Sequence, residues 1–243
     1  MQRDQHFDRV AQTYSSARPP YPPELYAALE QAGIAAPGRR IVEIGAGSGQ
    51  ATRELIDRGC EVLAVEPGPD LAARLRATCP EATVLNQRFE DAALDPASVD
   101  AAVAATSMHW VDLPHALPLL HAVVRPGGVL AVWRTVYGDP RIQTPFRDAV
   151  SQIVAARPAQ VPVYDPLTPR PTIDELEAGS WFTHQASREW TWSVQLDPHQ
   201  LRRLFETFPD WAPAELDALE AAALRAAPVI EHYVTILHIL RRT

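Results

Sequence analysis

Hydrophobic residues along this chain follow two alternating patterns. Residues 40–44, 61–66, 82–85, 100–104 and 129–133 are short, nearly continuous apolar runs, the length of buried strands. Between them, residues 48–57, 70–78 and 115–124 bring apolar side chains round every three or four positions, the spacing of one helix face. Leu71 and Leu75 are such a pair. Pro126-Gly127-Gly128 halts the third helix. Strands separated by helices predict a parallel sheet covered on both faces. Beyond residue 135 the pattern loosens. Residues 142–156, 198–208 and 214–226 read as helices. Residues 184–194, where Trp190 and Trp192 alternate, and residues 232–240, apolar on both faces, read as late strands. Residues 157–171 carry five prolines and read as loop.

The first strand and helix enclose a glycine turn. Residues 41–49 read IVEIGAGSG, with Gly45, Gly47 and Gly49 at every second position. Glycine adopts positive φ and admits a ligand to bare backbone. The following helix directs its N-terminal N–H groups and positive dipole end to the same place. A dinucleotide-binding turn has its third glycine one position later, and that position here is Gln50. Glu43, two residues ahead of the first glycine, would repel a pyrophosphate and suits a cationic amine. The second strand ends on Glu66, where a carboxylate can accept hydrogen bonds from both ribose hydroxyls. Pro67 follows, placed to pack on an adenine face. The alternative is a tight turn without a ligand and a solvated acid at a strand end.

With Ala46 in the turn, this stretch resembles the first motif of the class I methyltransferases that use S-adenosylmethionine, a cofactor with an amine, a sulfonium and no phosphate. Three further segments extend the resemblance toward the type 11 methyltransferases and the branch similar to trans-aconitate methyltransferase. Residues 88–91 (RFED) follow the third strand, where the family contacts adenine, which implies roles for Phe89 and Glu90. Arg88 stands where an acid is common. Residues 105–112 (ATSMHWVD) follow the fourth strand and border the methionine end of the cofactor, implying Ala105, Ser107 and Trp110. The N-terminal Phe7, Ala11, Tyr14, Arg18, Pro19, Tyr21 and Pro22 fit a lid, with Tyr14 and Arg18 reaching the cofactor carboxylate. The alternative is an ordinary helix packed by Phe7, Val10 and Tyr14.

The resemblance implies an α/β fold: a Rossmann-like, doubly wound, seven-stranded sheet, mostly parallel with an antiparallel last strand, helices on both faces. A single domain is expected, with lid helices in 1–36, the cofactor core in 37–136, a cap or insertion in 137–182, and strands and helices completing the sheet in 183–243. The expected cofactor is S-adenosylmethionine, leaving as S-adenosylhomocysteine. The acceptor is expected to be a small molecule, methylated on oxygen. His109, beside the expected methyl site, is the candidate general base; its alternative is a structural histidine packed on Trp110. His184, Tyr164 and Trp181 are candidates for the acceptor pocket. His115 and His121 are six positions apart and face different ways on a helix.

Composition narrows the partners. A formal net charge of −8 over 243 residues argues against nucleic acid as substrate. All 22 basic Lys or Arg positions are arginine, which excludes Schiff-base chemistry. The N-terminus lacks an apolar signal core, no apolar stretch is long enough for a membrane span, and a cytoplasmic location is expected. Cys60 and Cys79 are expected to be free thiols, and no metal-ligand spacing occurs. Monomer and homodimer remain open. Two other function classes stay in view: a nicotinamide oxidoreductase, against which Gln50 and Glu43 speak, and a non-catalytic protein that binds S-adenosylmethionine.

Overall fold

A computed structural model describes residues 13, 16–157 and 165–243. Seven strands form one sheet in the order β3-β2-β1-β4-β5-β7-β6. They are β1 (Arg40–Ile44), β2 (Glu61–Val65), β3 (Thr83–Leu85), β4 (Val99–Ala105), β5 (Val124–Tyr137), β6 (Phe182–Leu196) and β7 (Val229–Arg242). The helices are α1 (Pro23–Gln31), α2 (Gln50–Asp57), α3 (Pro69–Thr78), α4 (Leu113–Val123), α5 (Pro145–Ala155), α6 (Ile173–Glu177), α7 (Pro198–Glu206) and α8 (Pro213–Ala226). β1 pairs in parallel with β2 and β4, β2 with β3, and β4 with β5.

The last strand in the chain, β7, runs the other way. The Thr135 and Thr235 hydroxyls share a hydrogen bond, and the Asp139 N–H donates to the His232 carbonyl. Residue numbers on the β5 side thus rise as those on β7 fall. Ser187 bonds His238 and Ser193 bonds His232, so β6 and β7 are also antiparallel. This is the antiparallel closure expected of the late strands. β5 is longer than the sequence implies. Val99 and Ala101 of β4 pair with Val124 and Val129, so the Pro-Gly-Gly turn lies inside the strand as a bulge.

Among the described residues the chain divides into two compact units. One holds Tyr21–Thr135, Pro169–Trp190 and Thr235–Thr243. Strand alternation there sends Ile41, Val103, Ala131 and Trp133 to one face, packed with Leu25 and Leu29 of α1, Leu55 of α2 and Leu75 of α3. Val42, Ile44, Ala102 and Leu130 face the other side, with Leu117 and Leu120 of α4 and Leu176 of α6. The second unit takes in Val136–Thr168 and Thr191–Val234. Its core is Phe146 and Val150 of α5, Leu201, Leu204 and Phe205 of α7, Leu216 and Leu219 of α8, and Tyr233 of β7. Both cysteines are free and buried. No helix among the described residues is long and apolar enough to cross a membrane.

Candidate functional site

Strand order reverses between β1 and β4, because β2 and β3 extend one way from β1 while β4 and β5 extend the other. Open α/β sheets bind ligands at the carboxyl ends of the strands at such a switch point. The glycine turn, Glu66 and residues 105–110 all follow carboxyl ends of β1, β2 and β4.

Gly45, Gly47 and Gly49 all have positive φ, at 64°, 58° and 92°. Gly45 and Gly49 are also in close approach. A Cβ on Gly45 would lie 2.6 Å from the Ser107 Cβ, and one on Gly49 2.6 Å from Leu75 Cδ1. The Gly45 and Ala46 N–H groups donate to the Val65 carbonyl at 2.8 and 3.1 Å, fastening the turn to the end of β2. Gly49 caps α2 without a side-chain bond.

Glu66 is buried, and its carboxylate is clamped from two sides. Oε2 accepts the Gly47 N–H at 2.8 Å and Oε1 the Gly68 N–H at 2.8 Å. An ionised carboxylate has about four acceptor sites, and these two bonds, one to each oxygen, fix its orientation. Asn86 Nδ2 donates to the Glu66 and Pro67 carbonyls at 2.9 and 3.0 Å, holding the chain on either side of the Pro67 peptide.

Glu43 lies beneath the turn. It is fully buried, on the α2 side of β1. Oε2 accepts the Thr52 hydroxyl at 2.6 Å, while Oε1 is buried without a partner. Burial pushes its carboxyl up to about 8, against the Thr52 bond.

Residues Phe89–Asp91 form a single 3₁₀ turn. The Phe89 ring packs into the core with Ile44, Val65 and Met108. Glu90 Oε1 accepts the Asp112 N–H at 2.9 Å, tying this turn to the segment after β4. Burial works against ionisation of Glu90, but backbone N–H bonds and Arg88 hold its carboxyl below the usual range. Ala105 ends β4, and the Ser107 hydroxyl donates to the Ile44 carbonyl. Met108–Trp110 make another 3₁₀ turn, closed by the Trp110 N–H on the Ser107 carbonyl at 2.9 Å. The exposed His109 ring is tilted against Trp110 with centroids 4.5 Å apart.

Arg18 belongs to the second unit. Its Nε donates to the Thr207 hydroxyl at 3.1 Å, and its guanidinium stands 5.0 and 5.2 Å from the Tyr137 and Phe208 ring centres. Phe7, Ala11, Tyr14 and Tyr164 lie outside the described residues. His115 bonds Asp112 and His121 the Thr243 carbonyl, so the two diverge as their spacing requires. Trp181 packs on His121, and His184 bonds Ser187. Among the described residues no three His, Cys, Asp or Glu side chains gather as a metal cluster would.

The structure thus bonds the turn to Glu66, Ser107 to the Ile44 carbonyl just before the turn, and Glu90 to the Asp112 N–H of the segment after β4. Sequence reasoning missed Thr52, Gly68, Asn86 and the Tyr21–Thr106 hydroxyl pair. Gly68 had a signal, since a glycine two positions after an acid can donate its N–H back to it. The others are partnered across the fold and had none.

Comparison with known proteins finds similarity to methyltransferases. A family model described as a methyltransferase domain matches residues 42–132. An uncharacterised methyltransferase of Mycobacterium tuberculosis is 41% identical over 130 residues, which cover 53% of this chain and 52% of the relative. A solved structure from Anaeromyxobacter dehalogenans, assigned as a type II methyltransferase, is 26% identical with a TM-score of 0.64, covering 92% of this chain and 97% of its own. Residues 42–132 thus resemble a methyltransferase domain, and the fold is shared with solved methyltransferases. It spans about half the length of the curated relatives it matches most strongly. A geranyl diphosphate methyltransferase solved in complex with S-adenosylmethionine shares the fold at 18% identity and a TM-score of 0.51, covering 88% of this chain and 82% of its own. The matched domain runs from β1 into β5, so it contains the glycine turn, Glu66, the Phe89–Asp91 turn and Met108–Trp110. β6, α7 and α8 lie wholly outside it.

Proposed function

We propose that this protein transfers the methyl group of S-adenosylmethionine to an oxygen of a small-molecule acceptor. The observation that carries the reading is the Glu66 carboxylate, clamped by the Gly47 and Gly68 N–H groups beside a turn of positive-φ glycines at the strand-order switch. A clamped carboxylate suits a ribose diol, which offers it two donors. The buried Glu43 Oε1 has no partner, and a cation at the turn would favour its ionised form. These residues fit the cofactor of the family.

S-adenosylmethionine, when bound, supplies a methyl group activated by its sulfonium for in-line displacement. The chain's task is alignment and exclusion of water, which can account for much of such a barrier. Gly45 and Gly47 let backbone approach the methionine part. Glu66 and Pro67 hold the ribose and adenine end, and backbone of the Phe89–Asp91 turn borders the base. Ser107 and Trp110 flank the methyl site, and His109 is placed to take a proton from a hydroxyl acceptor. A carboxylate acceptor would need no base.

Calorimetric titration with S-adenosylmethionine, S-adenosylhomocysteine and NAD tests the cofactor. Micromolar binding of the first two, weakened at least tenfold by Glu66→Ala, is expected. Preference for NAD would reject the reading. Release of S-adenosylhomocysteine across a panel of carboxylic acids and hydroxyl compounds then tests the chemistry, and binding with no turnover on any of them would favour a non-catalytic role.

A further inference from the structure

We infer that Tyr21 is a positioning residue of the cofactor site: its hydroxyl latches Thr106 in a strained conformation and so sets the Ser107 wall of the glycine turn. The inference rests on the cofactor reading above and extends it to a residue outside the matched domain.

The starting point is a backbone outlier. Thr106 has φ of 58°. β-Branched residues avoid this region, and those found there are held by their surroundings, most often at functional sites. Thr106 follows β4 directly, at the strand-order switch. Its N–H donates to the Trp133 carbonyl at 2.8 Å. Its hydroxyl shares a hydrogen bond of 3.1 Å with the Tyr21 hydroxyl. The next residue, Ser107, bonds back to the Ile44 carbonyl at the end of β1.

The left-handed bend at Thr106 turns the chain back toward β1. Ser107 thereby comes so close to Gly45 that a Cβ there would overlap it. The Ser107 carbonyl also takes the Trp110 N–H, so the same bend carries His109 and Trp110. One strained residue therefore sets both a wall of the turn and the segment beside the methyl site.

Tyr21 is well prepared to hold it. Its ring meets Trp133 edge-on, with centroids 5.9 Å apart and planes at 85°. In sequence it stands between Pro19-Pro20 and Pro22-Pro23. Prolines limit the conformations of the unfolded segment, so presenting the tyrosine costs little ordering entropy. Phenylalanine at this position would keep the ring contact and lose the hydroxyl that makes the latch.

The test is a double-mutant cycle on binding of S-adenosylhomocysteine by calorimetry, using Y21F, T106G and Y21F/T106G, with thermal midpoints recorded alongside. Y21F is expected to raise Kd about fivefold, the worth of one neutral hydrogen bond. Glycine takes positive φ without help, so the Y21F penalty is expected to vanish in the T106G background. Wild-type Kd in Y21F, or the same penalty in both backgrounds, would overturn the latch while leaving the cofactor assignment standing. A wild-type protein that binds neither S-adenosylmethionine nor S-adenosylhomocysteine would instead remove the assignment itself, and the latch with it.

Discussion

Glu43 shows how much a single residue depends on its surroundings. With its carboxyl raised to about 8, the folded protein holds a proton there that the unfolded chain releases near its ordinary value of 4.5. Folding stability from this group is therefore full below about pH 4.5 and declines as pH rises toward 8. Thermal midpoints from pH 5 to 8 should show that decline, and Glu43→Gln should flatten it. A bound cation favours the carboxylate. Titration with S-adenosylmethionine near pH 7 should then release a proton, visible as a heat that varies with buffer ionisation enthalpy in the wild type and not in E43Q. Gly45 sets a different constraint. Gly45→Ala must place a Cβ against Ser107 at positive φ. It should cost roughly 1–3 kcal/mol in denaturant melts and abolish cofactor binding.

At the scale of elements, β7 and α5 are joined by the Glu231–Arg147 ion pair. Glu231 is almost wholly enclosed, and Arg147 Nε reaches its Oε1 at 3.0 Å. Gly138, at φ of 99°, leaves the space the guanidinium fills. Burial raises the Glu231 carboxyl despite Arg147. Arg147→Met would leave the carboxylate unpaired and should cost about 3–5 kcal/mol at pH 7, measured by denaturant unfolding. Because protonation relieves a buried unpaired acid, the loss should shrink as pH falls. α7 illustrates a smaller effect. Asp197 caps it in a reciprocal box with Gln200, and Leu201, Leu204 and Phe205 face the core. Asp197→Ala should cost about 1 kcal/mol, lowering the melting midpoint by roughly 2–4 °C.

For the whole molecule, ligand linkage is the informative quantity. S-adenosylhomocysteine at one hundred times its Kd should add about 2.7 kcal/mol to the unit that binds it, a rise of roughly 5–10 °C in a single cooperative transition. NAD at equal concentration should leave the midpoint in place. A calorimetric scan that separates into two transitions, only one of them moved by the ligand, would mean that the two units unfold independently.

The alternation of short apolar runs with helical spacing placed β1, β2, β3, β4 and helices α2 to α4 to within a few residues, because both periodicities are local. The glycine turn and Glu66 were legible for the same reason: positive φ and an acid closing a strand are written into neighbouring positions. Strand ends were not. β5, β6 and β7 run past their apolar centres because ladder pairing continues where side chains are exposed. α6 was missed because its signal is a capping box, Thr172 with Glu175, on only five residues with one buried leucine. What tertiary structure alone decided depends on partners distant in the chain. It buried the Glu43 carboxyl and bonded it to Thr52, sent the Phe89 ring into the core, and set Tyr21 against Thr106, 85 positions away. A hydrogen bond across that separation leaves no periodicity to read. It exists only once the sheet has brought the two hydroxyls together.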